Sequence, residues 1–291
     1  MVTHPSENPP QSDVISTLQK DGVFVLENAI TPENVENIRI AATWFLAQNE
    51  NWLQSCRLNE DNYAIISPRL VPRQHIGKLR TISNFFCNSF FEDVCKGYMS
   101  KQYNVKDVVI DRIIVSKSTV SDKPVTLWHA DQQDEGRKSF KFMLYLSDTN
   151  GDNGAFSYVK GTQNLVHDIV SKAAPEGIAN TDLHSFEQIS GAIEKLGNLD
   201  QKQELDNMRA HIKGDCVSDD HYSISAGKGS ALLFDTRGIH RGGCVRKEER
   251  LLIRVHCFEA PLTDKSRPWL RRALSALKNM LRPKPFSWGL N

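Results

Sequence analysis

The stretch Ser230-Ala-Leu-Leu-Phe-Asp-Thr-Arg-Gly-Ile-His240 decides how the second half of this sequence is interpreted. Its first five residues form a short apolar run that is typical of a buried strand. Asp235-Thr-Arg-Gly238 then supplies the residues of a sharp turn, so the strand ends just before His240. A histidine at this place lies on the rim of a β-barrel, where it points inward. The stretch therefore predicts a β-structure that presents His240 at its open end.

Similar short β-rich runs recur from Val108 to the end of the core. Gly, Asn and Asp separate these runs, and this pattern favours a sandwich or barrel over alternating strand–helix units. The predicted strands are Val108–Val115, Phe140–Leu146, Ala155–Val159, Tyr222–Ile224, Ser230–Phe234 and Arg250–Phe258.

Helical patterns precede and interrupt the β-rich part. A short helical pattern begins at Val14, and a turn at Asp21-Gly22 leads into the predicted strand Val23–Leu26. The polar segment 163–215 is predicted to be a helical insertion between two core strands, and it is either a lid or surface decoration. The remaining predicted helices run from a Thr31 cap and Pro32 to about Ala47, from Asp182 to Leu196, and from Asp200 to Ile212.

Composition limits the class of protein. The chain has 291 residues, of which 40% are hydrophobic and 24% charged, so a folded globular protein is expected and global disorder is excluded. The tail after Asp264 contributes seven basic residues and no acidic one, so residues 1–264 carry −6 of the overall net charge of +1. This negative body disfavours nucleic-acid binding. The start of the chain lacks a signal-peptide pattern and the six cysteines are scattered, which predicts reduced thiols and a cytoplasmic protein.

A metal constellation is the strongest chemical signal. His129-Ala-Asp131 is a weak motif alone, but on an extended segment both side chains point to one face, about 7 Å apart. His240 is the candidate for a third ligand. Two histidines and one carboxylate, with the remaining coordination positions open, are the ligand set of non-haem Fe(II) oxygenases. The same set does not close a structural zinc site.

The last predicted strand carries charged residues in an otherwise apolar sequence. Alternation places Arg250, Arg254 and His256 on one face. They either point into the barrel toward a ligand or form a solvated outer face. An iron oxygenase commonly uses 2-oxoglutarate, whose distal carboxylate is best matched by the forked guanidinium of arginine.

Together these residues resemble the phytanoyl-CoA dioxygenase family of Fe(II)/2-oxoglutarate oxygenases, from about Leu18 to Phe258. Five features in the family's order carry the resemblance, although each is weak by itself. They are Leu18–Asn28, the Thr31-Pro32-Glu33 helix start, Trp128-His-Ala-Asp-Gln132, the stretch Leu146–Gln163, and Gly229–Gly243. Within the fourth, Lys160-Gly-Thr-Gln163 departs from the family's Pro-Gly-Ser-His stretch.

The resemblance implies the fold and the site. It implies a mainly β protein with a double-stranded β-helix (jelly-roll, cupin-like) core, flanking helices, and one domain over residues 1–262. It implies Fe(II) held by His129, Asp131 and His240, with 2-oxoglutarate and O₂ as cosubstrates. Arg250 would bind 2-oxoglutarate, and it fits better than the alternative, Arg254, because the family's arginine lies about ten or eleven residues after the distal histidine.

The resemblance also implies a reaction, in which 2-oxoglutarate is converted to succinate and CO₂ while an unactivated C–H bond is hydroxylated. Asp131 favours hydroxylation over halogenation, because related halogenases replace this carboxylate by a small residue. Trp128 and Gln132 either line the substrate cavity or are structural. The substrate is expected to be a small molecule, such as a lipid- or sugar-type metabolite; a basic stretch from Arg57 to Arg80 favours an anionic one only if it is not simply a solvated face.

Two other functions fit the same sequence. One is a catalytically inactive binding or regulatory protein with this fold, and the other is a cupin-like iron enzyme that does not use 2-oxoglutarate. The tail 263–291 is predicted to form a basic amphipathic helix, with an apolar stripe and opposite basic residues over 267–282. That helix either packs on the barrel or contacts an anionic membrane surface.

Overall fold

Two antiparallel sheets form the centre of the computed structural model, which describes residues 8–48, 54–58, 61–67, 70–86, 89–121, 124–131, 138–179, 183–212 and 221–260. The strands are β1 (Val23–Leu26), β2 (Gln54–Leu58), β3 (Asp61–Ile66), β4 (Val108–Ser118), β5 (Ser139–Tyr145), β6 (Phe156–Tyr158), β7 (Ser223–Ile224), β8 (Ala231–Asp235), β9 (His240–Gly242) and β10 (Arg250–Glu259). The larger sheet has the order β1-β8-β5-β10-β4-β3-β2, and the smaller has the order β7-β6-β9.

The smaller sheet is extended by two irregular segments. His129 forms antiparallel bridges with His240 on one side and with Ser185 on the other. The backbone of Trp128–Ala130 therefore lies between β9 and the segment that ends at Ser185. This places the predicted metal-binding motif within the sheet.

Alternation along the strands separates two packing layers. On β5, Phe140, Phe142 and Leu144 belong to the main core, which is formed with the N-terminal helices. Met143 and Tyr145 belong to a second cluster between the sheets. The helices that cover the larger sheet are α1 (Gln11–Asp21), α2 (Pro32–Leu46), α3 (Ile76–Ser83) and α4 (Ser89–Tyr103), with a 3₁₀ turn at Arg73–His75.

The N-terminal predictions agree with this structure. Gly22 ends α1 with φ of 78°, a conformation that glycine adopts without steric cost, and β1 follows directly. The Thr31 side chain accepts a hydrogen bond from the Asn34 amide at 3.3 Å, so it caps α2, and Pro32 is the first residue of that helix.

Three helices form the insertion: α5 (Thr162–Ala173, followed by a 3₁₀ turn at Ala174–Glu176), α6 (Phe186–Leu196) and α7 (Leu199–His211). Their apolar residues pack with Trp128, Ala130 and Ile239 behind the metal-binding motif. Helix α6 starts later than the predicted Asp182. Ser185 caps it, and the residues just before Ser185 extend the sheet. Whether the insertion acts as a lid stays a prediction.

Other sequence-based expectations are corrected or fall elsewhere. Cys244 is disulfide-bonded, whereas Cys95 is a free thiol, so the expectation of reduced thiols throughout is wrong for Cys244. The tail 263–291, with its basic helix over 267–282, lies outside the described residues and stays a prediction. Among the described helices, none has the length and apolar character needed to cross a bilayer.

Candidate active site

Three predicted ligands lie together beside β9 of the smaller sheet. The ligand atoms of His129, Asp131 and His240 are all within 4.8 Å of one another. The Nε2 atom of His129 is 3.5 Å from Oδ1 of Asp131, and Nε2 of His240 is 3.9 Å from Oδ2 of the same carboxylate. The two imidazole rings are 4.3 Å apart at their centroids. This spacing lets one cation contact all three side chains.

Backbone pairing explains why these distant residues meet. The His129 amide donates to the His240 carbonyl at 3.0 Å, and the His240 amide donates to the His129 carbonyl at 2.8 Å. The Asp131 amide donates to the Thr236 carbonyl at 2.8 Å. The ligands are therefore set by sheet hydrogen bonds and by the turn that follows β8.

Hydrogen bonds also fix the imidazole tautomers. Nδ1 of His129 lies 2.7 Å from the Leu127 carbonyl, and Nδ1 of His240 lies 2.8 Å from the Gly238 carbonyl. Because a carbonyl only accepts, each Nδ1 carries the proton. Each Nε2 is then left with its lone pair directed toward Asp131, which is the state that binds a metal.

The charges of the site suit a divalent cation. Burial, followed by the neighbouring His129, lowers the pKa of His240 to about 3, so this imidazole is neutral at physiological pH. Burial raises the pKa of Asp131, but the Lys141 ammonium and the adjacent imidazoles of His129 and His240 outweigh it. The pKa of Asp131 therefore lies well below its usual range, and the carboxylate is ionised.

Lys141 is a site residue that the sequence analysis missed. Its Nζ atom makes a short hydrogen-bonded ion pair with Oδ2 of Asp131. The available signal was a lysine at an inward position of the otherwise apolar strand β5. The alternation of that strand places Lys141 on the same face as Met143 and Tyr145.

Arg250 is the first residue of strand β10, and its side chain is buried, with 4% exposed. Its Nη1 donates to the Gly154 carbonyl at 2.7 Å, and its Nη2 donates to Oγ of Ser118 at 2.9 Å. A Cβ on Gly154 would come within 3.0 Å of the Arg250 side chain, and φ of 84° already favours glycine there. The close approach of backbone to guanidinium thus depends on Gly154.

Tyr145 is the second neighbour of Arg250 that the sequence analysis did not single out. Burial raises its pKa to about 12, and Arg250 acts in the opposite direction. The Tyr145 hydroxyl is buried and has no hydrogen-bond partner among the described residues. Such an orphaned group is costly unless a ligand satisfies it.

Of the two residues predicted near the substrate, only Trp128 lies in the described part of the chain. Trp128 is buried among the insertion helices, and the Arg241 guanidinium stacks over its ring at 4.8 Å. Alternation turns Trp128 away from the face that carries His129 and Asp131, and whether Trp128 lines the substrate cavity stays a prediction. Gln132 lies outside the described residues.

A buried carboxylate supports the turn between β8 and β9. Oδ2 of Asp235 accepts hydrogen bonds from the hydroxyls of Tyr98, at 2.6 Å, and Tyr103, and Oδ1 accepts from the Arg237 amide at 2.9 Å. Burial raises the pKa of Asp235, while these hydrogen bonds oppose the rise. The next residue, Thr236, is the one that holds the Asp131 amide.

His184 is another neighbour that the motif search passed over. Its ring lies 5.2 Å from that of His129, and its Nδ1 is 2.8 Å from the Ala130 carbonyl. The Ala130 amide in turn donates to the His184 carbonyl at 3.0 Å. His184 thus links the insertion to the metal-binding motif.

Two packed antiparallel sheets with two histidines and a carboxylate beside β9 are the arrangement of a jelly-roll metalloprotein. A sequence profile described as phytanoyl-CoA dioxygenase (PhyH) matches residues 18–249. The chain therefore belongs to the phytanoyl-CoA dioxygenase family, as its motifs predict.

Solved structures agree on the fold. AviO1 from Streptomyces viridochromogenes Tue57 matches with a TM-score of 0.52 and 11% identity, over 89% of this chain and 98% of its own. EctD from S. alaskensis, solved with 2-oxoglutarate and 5-hydroxyectoine, matches with a TM-score of 0.53 and 12% identity, over 87% of this chain and 77% of its own. The epimerase SnoN, in complex with Fe³⁺, alpha ketoglutarate and nogalamycin RO, matches with a TM-score of 0.52 and 11% identity, over 86% of this chain and 84% of its own. No curated protein sequence matches the chain.

Proposed function

We propose that this protein is an Fe(II)- and 2-oxoglutarate-dependent oxygenase that hydroxylates a C–H bond of a small molecule. The observation that carries the proposal is the convergence of His129, Asp131 and His240, whose ligand atoms lie within 4.8 Å of one another. Membership of the phytanoyl-CoA dioxygenase family supports the same chemistry.

The donor set fits Fe(II). Two imidazoles with fixed tautomers and one ionised carboxylate would hold such an ion and would leave coordination positions open for the cosubstrate and O₂. When bound, iron and 2-oxoglutarate supply the oxidising power, which the side chains of the protein do not have. The protein's part is to hold the ligands in register, which the His129–His240 backbone pair and the Thr236 carbonyl do.

The surroundings of Arg250 fit the distal carboxylate of 2-oxoglutarate. The guanidinium is buried and oriented by Gly154 and Ser118, and it acts electrostatically on the Tyr145 hydroxyl, which has no hydrogen-bond partner among the described residues. A carboxylate would accept hydrogen bonds from both groups and offset the buried charge. The apolar side chains between the sheets, which include Met143, Phe156 and Leu252, would keep water from the reacting atoms.

Hydroxylation is the reaction that we favour. Related halogenases have a small residue in place of this metal-binding carboxylate, whereas this chain has Asp131. EctD, with 5-hydroxyectoine in its structure, is an example of a similar fold beside a hydroxylated small molecule. Epimerisation is the second candidate, because SnoN has a similar fold and is an epimerase. A catalytically inactive binding protein is disfavoured by the complete ligand set.

The test is release of CO₂ from labelled 2-oxoglutarate by the purified protein with Fe(II) and ascorbate. We expect release by the wild type and its loss in Asp131→Ala, because the carboxylate is the charged ligand. His240→Ala should lose iron binding. His211→Ala, on the outer helix α7, is the matched control and should behave as wild type.

Three results would contradict the proposal. Wild-type protein that binds iron but neither binds nor consumes 2-oxoglutarate would favour the cupin-like alternative. Iron binding that survives His240→Ala would remove this residue from the site. For the reaction type, a substrate that gains one oxygen atom indicates hydroxylation, whereas an unchanged mass with inverted stereochemistry indicates epimerisation.

A further inference from the structure

His184 brings another imidazole to the edge of the candidate metal centre. Its ring lies 5.2 Å from that of His129, measured between the ring centroids. The group of ligand atoms close enough to share one cation nonetheless consists, within the described part of the chain, of His129, Asp131 and His240. His184 is therefore a neighbour of the metal centre and not one of its ligands.

Hydrogen bonds of the insertion hold His184 in place. The Ala130 amide donates to the His184 carbonyl at 3.0 Å, and Nδ1 of His184 lies 2.8 Å from the Ala130 carbonyl. The His184 amide donates to the Gln188 side chain at 3.1 Å, and the next residue, Ser185, is bridged to His129. An imidazole that is fixed in this way loses little conformational freedom when a ligand binds to it.

The same contacts decide which nitrogen of His184 is available. Because the Ala130 carbonyl only accepts, Nδ1 carries the proton, and in the neutral ring Nε2 keeps its lone pair. Over the described ranges of the chain, Nε2 has no hydrogen-bond partner. The residue is exposed, which leaves room for a small molecule beside the ring. His184 thus offers a free and oriented hydrogen-bond acceptor.

The exposure of the metal ligands shows from which side the site is reached. The side chains of His129 and Asp131 are 14% and 22% exposed, whereas that of His240 is 5% exposed. Solvent therefore meets the metal centre on the side of the motif from His129 to Asp131. His184 is paired with the middle residue of this motif, so a substrate that enters from solvent passes its imidazole.

We propose that Nε2 of His184 accepts a hydrogen bond from a hydroxyl group of the substrate, and so positions the C–H bond that is oxidised. This inference rests on the proposed function. A carboxylate or a phosphate dianion has no proton to donate to a lone pair, and a cationic donor would be repelled by the bound metal. The substrate is thus an alcohol or polyol, and the insertion supplies a residue that selects it.

The test uses Mn(II) as a paramagnetic replacement for iron in protein saturated with 2-oxoglutarate. Three small probes are observed by proton relaxation: ethylene glycol, 1,2-dimethoxyethane, which cannot donate a hydrogen bond, and ethylammonium, which is a cationic donor. We expect ethylene glycol to bind about threefold or more tightly than the other two, since it alone makes a favourable hydrogen bond to Nε2.

Matched variants separate substrate binding from support of the fold. His184→Leu removes the acceptor and should abolish the preference for ethylene glycol. His184→Gln puts an amide oxygen near the position of Nε2 and should restore part of it. His211→Leu, the same change on the outer helix α7, should retain the full preference. The affinity for Mn(II) should be unchanged in all three variants, because neither histidine is a metal ligand.

Binding of 2-oxoglutarate is followed separately by the visible band of its Fe(II) complex. A normal band without a preference for ethylene glycol in wild-type protein would overturn this inference and leave the proposed function intact. A preference that survives His184→Leu, or one for ethylammonium, would overturn it also. Weaker Mn(II) binding in His184→Leu would show that His184 only supports His129. Absence of the band in wild-type protein would overturn both proposals.

Discussion

Lys141 illustrates how one side chain sets the state of the metal centre. Its ammonium neutralises Asp131 in the absence of a cation, but it competes with a cation for the same oxygen. Lys141→Met should therefore have two opposite effects. The metal-free protein should lose stability by about 3–5 kcal/mol, because a buried carboxylate loses its partner. The affinity for Fe(II) or Co(II) should increase, because the competing charge is gone.

Urea unfolding of the metal-free protein and anaerobic metal titration measure the two effects of Lys141→Met. Lys117→Met serves as control, since Lys117 makes a surface ion pair with Glu249 and should change neither quantity by much. Weaker metal binding in Lys141→Met would show that the lysine assists the site rather than competes with the metal.

Arg250 is expected to determine affinity for the cosubstrate. Arg250→Lys keeps the charge but removes the fork that Gly154 and Ser118 orient, so the KM for 2-oxoglutarate should rise about tenfold or more. Tyr145→Phe should also raise this KM, with little loss of stability, since its hydroxyl has no partner among the described residues. Initial rates of CO₂ release at varied 2-oxoglutarate measure both. If Arg254→Lys gives the larger rise, Arg254 is the cosubstrate ligand instead.

At the scale of residues, the sequence predicts more of the site than its weak motifs suggest. Alternation is enough to place His129 with Asp131, and Arg250 with Arg254 and His256. It does not show which side chains of neighbouring strands are opposite one another. Lys141 and Tyr145 were missed because their contacts depend on the register of β5 against β10.

Among the elements, the turn from Asp235 to Gly238 matters most for the site. Asp235 is buried, and its carboxylate accepts hydrogen bonds from the hydroxyls of two tyrosines in α4. Tyr98→Phe should lower the free energy of unfolding by about 1.5–3 kcal/mol, because a buried carboxylate loses a hydrogen bond. It should also weaken metal binding, since the same turn holds the Asp131 amide through Thr236.

Denaturant unfolding and metal titration of Tyr98→Phe check this prediction. Tyr145→Phe is a suitable comparison for stability, because both tyrosines are buried but, within the described part of the chain, the Tyr145 hydroxyl has no partner whereas that of Tyr98 has one. Equal stability losses in the two variants would argue against a special role for the Asp235 contact.

Local signals predict the helices of the insertion well, but not the strand-like segment before α6. Ser185 and Asn198 cap α6 and α7 through hydrogen bonds with Gln188 and Gln201, and such caps are readable in the sequence. The pairing of Ser185 with His129 is a contact between distant parts of the chain. No local propensity specifies it, and the start of α6 was therefore predicted too early.

For the whole molecule, the structure predicts a loss of stability in mild acid when no metal is bound. Burial lowers the pKa of His256 far below its usual value, and Lys141, Arg254 and Arg112 contribute, while Asp131 opposes. As pH falls below about 6.5, the unfolded chain takes up a proton that the folded protein refuses. The free energy of unfolding should then fall by up to about 1.4 kcal/mol per pH unit for this group.

Urea unfolding of metal-free protein between about pH 8 and pH 5 tests this dependence. His240 should also lower the free energy of unfolding as the pH falls, because burial lowers its pKa to about 3. His256→Gln should flatten the dependence, whereas His211→Gln on the outer helix α7 should not. An unchanged slope in His256→Gln would mean that His256 titrates normally in the folded protein.

The overall architecture followed from the sequence because its strands are short, apolar and divided by turn residues, and because the family motifs lie in order. The disulfide of Cys244 did not follow, since scattered cysteines give no pairing.

The bridge between Ser185 and His129 restricts how this scaffold can be re-engineered. Helices α5 to α7 are tempting to exchange with those of a homologue, in the hope of acquiring a different specificity. The segment that precedes α6 is, however, hydrogen-bonded to the backbone on both sides of His129. A chimera that replaced this segment together with the helices would remove the native edge support of the first histidine, so an exchange of the helices should retain His184 and Ser185.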